Sequence, residues 1–215
     1  PGVSLEHVAF GTMMGADGRP FRTREGGTVK LVDLLDEAER RAFELVSQKN
    51  PDLSEDRRRE IARAVGIGAV KYADLANHRA SDYVFSWERL LSLEGNTAPY
   101  MQYAYARVQS IFLKGGAAPP ASAEIVLTDP AERKLALRLA QFAETVQAVA
   151  DECLPNILCA YLYDLAGAFM GFYENCPVLK ADEPARTSRL GLCRLTAETV
   201  KAGLGLLGIE AIAQM

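Results

Sequence analysis

Histidine is nearly missing: His7 and His78 are the only two in 215 residues. No Ser–His or Cys–His pairing stands out, and there is no GxSxG elbow, HExxH motif or Walker loop. Self-contained hydrolysis and metal catalysis are therefore poor readings. Cysteine is sparse too. Cys153, Cys159, Cys176 and Cys193 all fall in the second half and form no CxxC pair. They predict buried free thiols in a reducing compartment, with no metal site and no disulfide framework. No apolar run reaches the roughly 18 residues of a membrane span, and no charged start precedes an apolar core as in a signal peptide. A soluble, cytoplasmic protein is expected. Positive charge is not in excess either: 24 Lys and Arg stand against 28 Asp and Glu, a formal net charge of -4. Any nucleic-acid site must be local, not a global basic field. The chain also starts at Pro1 and not at Met, which reads as a fragment or a processed product.

What is present is a core. Hydrophobic residues make up 49% of the chain, enough for one large or two small domains. Residues 1–27 read as short strands and turns, with Asp17-Gly18 as a hairpin signal. The stretch "GADGRPFRTREGG" is rich in glycine and arginine. It is either a loop that holds a phosphate or a solvated hairpin before a helix. From Thr28, an expected N-cap, the period changes. Leu31, Leu35, Ala38, Ala42 and Leu45 mark one helix face, closed by Asn50-Pro51. Ser54 caps a second helix, with Glu55 and Asp56 in its first turn. That helix continues through "IARAVGIGAVKYADL", with a bend expected at Gly66 or Gly68. Arg57, Arg58 and Arg59 alternate with acids and predict a solvated face. "DYVFSW" reads as extended, and a boundary is expected near "SLEGN".

The second half is helix after helix. Pro99 suits the first turn of a helix ending near Lys114. Leu135, Leu139, Phe142, Val146, Val149 and Cys153 form one stripe over 131–153. Leu158, Leu162, Leu165, Phe169 and Phe172 form another after Pro155, and a last helix is expected over about 184–206. The fold class is mainly α: an antiparallel bundle of about five helices over 96–215, preceded by a β/turn segment and a helical region.

One helix has two faces. Met101, Tyr105, Val108 and Phe112 form its apolar stripe. Tyr100, Tyr103, Arg107 and Lys114 line another face at helical spacing. Aromatic and basic groups together can stack unpaired bases and neutralise phosphates, or the tyrosines can be half-buried packing with surface hydroxyls. Tyr161 and Tyr173 fall off their Leu/Phe stripe and are candidates for exposure, with core packing the favoured reading for both.

Five blocks carry a likeness in order: "HVAFGTMMGADGRPFRTREGGTVKLVDLLDEA", "AVGIGAVKYADL", "DYVFSWERLLSLEGNTAPYMQYAYARVQSIF", "CAYLYDLAGAFMGFYENCPVL" and "SRLGLCRLTAETVKAGLGLLGIEAIAQM". Together they resemble the C-terminal part of bacterial arginyl-tRNA synthetases over essentially the whole chain. The resemblance implies a class I ligase that joins arginine to its tRNA through an adenylate, using ATP with Mg. "PFRTREGG" stands where that class carries its KMSKS loop. The resemblance casts Arg22, Thr23 and Arg24 as catalytic contacts, and Arg22, Arg24 and Gly26 as holding the ATP. Arginines replace the lysine-rich pattern, yet guanidinium groups on a glycine-flanked loop still stabilise charge building on pyrophosphate.

The same resemblance divides the chain into the end of the catalytic domain (1–27), a stem-contact region (28–95) and a DALR anticodon-binding domain (96–215). Tyr100 and Arg107 match positions that approach the anticodon stem-loop. Tyr173 and Met215 match positions near its bases, and Tyr103 shares the tRNA-binding face. Leu190, Leu192 and Leu195 are read as packing, and Met215 as the natural C-terminus. A HIGH-like motif and a Gly-rich nucleotide-binding turn are both missing, so the chain alone is not expected to aminoacylate. Arginine tRNA, ATP and L-arginine are the implied partners of a monomer with no membrane. The competing reading is an inert tRNA-binding or helical protein-interaction module.

Overall fold

The computed structural model describes residues 2, 3, 5, 7–21, 30–116 and 123–215. The first ordered feature is the expected hairpin. Gly18 takes a left-handed φ of 70°, and the turn is closed by Gly15 N–H donating to Arg19 O at 2.7 Å. Met14 bridges Pro20 in antiparallel fashion. Strand β1 (Met13–Met14) also pairs in parallel with β2 (Tyr83–Val84). The Asp82 carboxylate supports this pair by accepting from Thr12 N–H at 2.7 Å.

Helix α1 spans Leu31–Lys49 and α2 spans Glu55–Leu75. Thr28, the expected cap of α1, lies outside the described residues. The expected stripe of α1 is corrected. Leu34, Ala38, Ala42 and Val46 are buried, whereas Leu31 is 65% exposed. The partner helix is the reason. A Cβ built on Gly66 of α2 would lie 2.7 Å from Ala38 O, so the two backbones nearly touch along the alanine line. Gly66 and Gly68 thus serve close approach, and α2 runs through both as one helix. Ser54 caps it as expected, accepting from Arg57 N–H. Two of the three arginines are paired at the surface, Arg57 to Glu60 and Arg59 to Glu55, while Arg58 is half-buried and lies over the Phe43 ring, which corrects the solvated face for that residue.

After the short α3 (Trp87–Leu90), five further helices make the bundle: α4 (Ala98–Gly115), α5 (Pro130–Ala140), α6 (Phe142–Glu152), α7 (Pro155–Asn175) and α8 (Ala185–Leu206). Thr97 caps α4 and a proline opens it. Asp129 and Glu132 form a capping box at α5, satisfying orphan N–H groups reciprocally. The core joins Met101 and Val108 of α4, Leu135 of α5, Leu162, Phe169 and Phe172 of α7, and Leu192 and Leu204 of α8. Each such side chain contributes about 1.5–3 kcal/mol of burial.

Two expectations are corrected here, and of the two readings of Tyr161 the favoured one, core packing, holds. The stripe over 131–153 is two helices, because the chain turns at Gln141, which stays near helical geometry (φ -80°, ψ -6°) and so preserves the apparent period. Cys153 is exposed at φ 52°, as the left-handed residue ending α6. Tyr161 is buried; its hydroxyl donates at 2.8 Å to Arg138 O in the last turn of α5, a carbonyl that also accepts from Gln141 N–H at 3.2 Å.

The tail beyond α8 leaves the bundle and crosses α2. Lys71 Nζ donates to Gly208 O at 2.6 Å. The buried Gln102 amide donates to Ala64 O at 3.2 Å and to Glu210 O at 2.8 Å. Ile212 then joins Ala42, Val46 and Ile61 in a second small core. A third, around Leu34, Ala69 and Phe85, anchors the β1–β2 pair.

Candidate nucleic-acid interface

Tyr100, Tyr103 and Arg107 lie at offsets 0, 3 and 7 on α4, one face of a helix. The buried stripe of Met101, Tyr105 and Val108 fixes that face outward. Helix α7 runs beside α4 in the same direction, so that Tyr163 in its middle and Tyr173 near its C-terminal end meet successive residues of α4. Tyr163 packs on Tyr100 with ring centroids 5.9 Å apart and planes tilted 59°. Further along, the Arg107 guanidinium sits 4.7 Å from the Tyr173 ring centroid and 5.6 Å from that of Tyr103. Its Nη1 donates to the Tyr103 hydroxyl at 2.6 Å. Tyr173 is tied to the core by Phe169, at 6.1 Å.

The result is a row of four tyrosines around one held cation. Half-burial raises the Tyr100 hydroxyl pKa, with Tyr163, Glu174 and Tyr103 adding to the effect. The Tyr100 phenol is therefore neutral, able to donate a hydrogen bond at its edge while its ring offers a stacking face. A guanidinium lying over one ring keeps its remaining N–H donors for a phosphate or a base edge.

The sequence-derived candidates are distributed unevenly. Tyr100, Tyr103, Arg107 and Tyr173 come together. Lys114 is exposed in the last turn of α4, beyond that group. Met215 is half-buried in the small core of α1, α2 and the tail, with Ala42, Val46 and Ile61. Arg22, Thr23, Arg24 and Gly26 lie outside the described residues. The segment before them is anchored: Phe21 N–H donates to Met13 O and its ring packs 4.8 Å from that of Phe85. Leu192 is buried and Leu190 half-buried, as expected of packing, but Leu195 is 36% exposed, a correction for that residue.

Tyr163, 40% exposed, is a site residue that sequence reasoning did not single out. The signal was there, since it sits one residue past Leu162 of the apolar stripe, as Tyr173 sits one past Phe172.

Other chemistry is thin. Among the described residues no cluster of His, Cys, Asp or Glu fits a metal ion, and no helix is long and apolar enough to cross a membrane. Cys159, Cys176 and Cys193 are buried, and burial pushes their thiols up to about 12, 11 and 12, which leaves them unreactive.

Comparison with known proteins matches both ends of the chain. The family described as DALR anticodon binding domain matches residues 101–215. The family described as tRNA synthetases class I (R), catalytic domain, matches residues 1–87. Proteins named arginine–tRNA ligase from Laribacter hongkongensis and Pseudomonas syringae are each 61% identical, over 99% and 100% of this chain. The chain spans 37% of the length of either. Among solved structures, the arginyl-tRNA synthetase of Thermus thermophilus superposes with a TM-score of 0.87 at 36% identity, over 97% of this chain and 35% of its own. That of Plasmodium falciparum gives 0.75 at 31% identity, over 87% of this chain and 34% of its own.

Proposed function

The chain belongs to the arginyl-tRNA synthetase family and carries its DALR anticodon-binding domain, and from that membership we propose that it is the tRNA-reading part of an arginine–tRNA ligase. The whole enzyme joins L-arginine to its tRNA in the cytoplasm, using ATP with Mg, and acts as a monomer. Within this chain, residues 96–215 hold the anticodon stem-loop, 28–95 meet its stem, and 1–27 end the catalytic domain. Arg22, Thr23 and Arg24 face the ATP phosphates, with Gly26 letting the backbone approach. The catalytic half of the site belongs to the part of the relatives that this chain does not span, so the chain alone binds tRNA without charging it.

The observation that carries this reading is the tyrosine row around Arg107. A base stacked on a tyrosine is worth about 1–3 kcal/mol. Tyr100 with Tyr163, and Tyr173 with Arg107, present two such places in a chain whose net charge is otherwise negative. Single-stranded loops are the RNA elements whose bases are free to be taken up this way.

The test is a fluorescence titration of the chain with the anticodon stem-loop of arginine tRNA, against an unrelated stem-loop, at two salt concentrations. A preference for the arginine stem-loop is expected, reduced by about 1–3 kcal/mol in Tyr100→Ala. Equal affinity for both RNAs overturns the proposal. ATP–pyrophosphate exchange with arginine is expected to be absent for this chain; detectable exchange overturns its assignment as a part without chemistry.

A further inference from the structure

Several surface cations of this protein are matched by acids three or four residues away on their own helix. Arg40 pairs with Glu37 and Glu44, Arg41 with Glu37, Arg59 with Glu55, and Arg194 with Glu198. Helix α5 has no such pair within itself. Its only acid, Glu132, is 1% exposed and turned inward. There it accepts from Arg189 of α8 at 2.6 Å and from the N–H groups of Thr128 and Asp129. The outer face of α5 is left with Arg133 and Lys134, both exposed, and with Arg138. Arg138 reaches Asp164 of α7 at 3.2 Å; neither Arg133 nor Lys134 has an ion-pair partner among the described residues. These three cations, the exposed Leu137 and one acid, Asp129, whose carboxylate already accepts from Ala131 N–H, line a shallow groove of about 570 Å³.

The place of this groove matters as much as its charge. Asp164, which holds Arg138, follows Tyr163 directly, and Tyr163 packs on Tyr100. Arg138, at the C-terminal end of this face, therefore lies beside the turn of α7 that carries Tyr163. We propose that Arg133 and Lys134 form a second contact surface for the RNA, one that takes its phosphodiester backbone while the tyrosines take its bases. The inference rests on the reading of the chain as a tRNA binder. Charge complementarity selects the occupant: two uncompensated cations beside a base-stacking surface match a strand that carries one phosphate per nucleotide. Such contacts are independent of sequence and fix the register in which the bases meet Tyr100 and Tyr173.

The experiment is a titration of the full 215-residue chain with an arginine tRNA transcript over a series of salt concentrations, for the wild type and for Arg133→Gln/Lys134→Gln. Removing one cation that neutralises a phosphate lowers the slope of log affinity against log salt by about 1. The double variant is expected to lose about 1–2 from that slope while its preference for the arginine stem-loop is unchanged. Both side chains are exposed, so its melting temperature is expected to stay put. A second variant, Arg133→Lys, keeps the charge and is expected to keep the slope.

If the wild type prefers the arginine RNA but the double variant keeps the full slope, the inference about α5 is overturned and the tRNA reading stands. The inference about α5 is likewise overturned if the double variant loses affinity for an acidic peptide and not for RNA. If the wild type shows no preference at all, both fall together.

Discussion

Arg107 of α4 and Tyr173 of α7 face each other across the helix pair, guanidinium to ring at 4.7 Å, while the same guanidinium donates to Tyr103. The cation is thus held flat by one ring and steered by the hydroxyl of another. Lysine would keep the charge but lose both the stacking plane and the forked donors. Arg107→Lys is expected to cost about 1 kcal/mol of affinity for the arginine stem-loop, with the salt dependence of binding unchanged. Arg107→Ala is expected to lower affinity and salt dependence together. Titrations at two salt concentrations separate the two outcomes.

Two glycines predict opposite changes in stability. A Cβ at Gly66 would stand 2.7 Å from Ala38 O and 2.8 Å from Glu39 N, both backbone atoms. Gly66→Ala must push α1 off α2 and is expected to destabilise by about 1–3 kcal/mol. A Cβ at Gly167, in the exposed strip of α7, would meet nothing within 4 Å. Gly167→Ala is expected to stabilise by about 0.5–1 kcal/mol through helix propensity. Denaturant unfolding of both variants checks the contrast.

Glu132 predicts a pH dependence. Burial by itself would raise its pKa, but the hydrogen bond from Asp129 N–H, that from Arg189, and that from Thr128 N–H outweigh burial and lower it. A carboxyl whose folded pKa lies below its unfolded value stabilises the fold above the unfolded value, about 4.3. That contribution is lost as pH falls through the folded pKa. Glu132→Ala is expected to cost about 3 kcal/mol or more at pH 7, because it strands Arg189 and two N–H groups. The gap between variant and wild type is expected to narrow below about pH 4, measured as unfolding midpoints across the range.

Thiol reactivity follows exposure. Cys153 is exposed while Cys159, Cys176 and Cys193 are buried with raised pKa values. A disulfide-exchange reagent at neutral pH is expected to titrate one thiol per native chain quickly and the other three only on unfolding.

The sequence carried the bundle and the outward face of α4 well. The cap at Ser54 and the first-turn Pro99 are local signals, and the Leu/Phe stripe of α7 is strong enough to set its own face. Helix α1 was harder. Leu31 and Leu35 offer one apolar line and Leu34 another, and only the bare backbone of Gly66 on the partner helix decides between them. Tyr161 went inward to a place no period encodes: its hydroxyl donates to the Arg138 carbonyl in the last turn of α5. Within the candidate site, Tyr100, Tyr103, Arg107 and Tyr173 were legible from spacing and family likeness. Tyr163 was not, because its role depends on α4 and α7 running side by side in the same direction, which is a matter of topology.

The tail that crosses α2 also bears on when the protein becomes whole. Gln102 reaches Glu210 across 108 positions, and Lys71 reaches Gly208 across 137. A chain made from its N-terminus at roughly 5–20 residues per second emerges with α1 and α2 long before Ile212 exists to fill the gap between them. For that interval the apolar line of Ala42, Val46 and Ile61 is open to solvent. The α1–α2 pair is therefore made early relative to the tail and finishes folding late, and early exposure of that line is where aggregation of this part of the molecule during synthesis would begin.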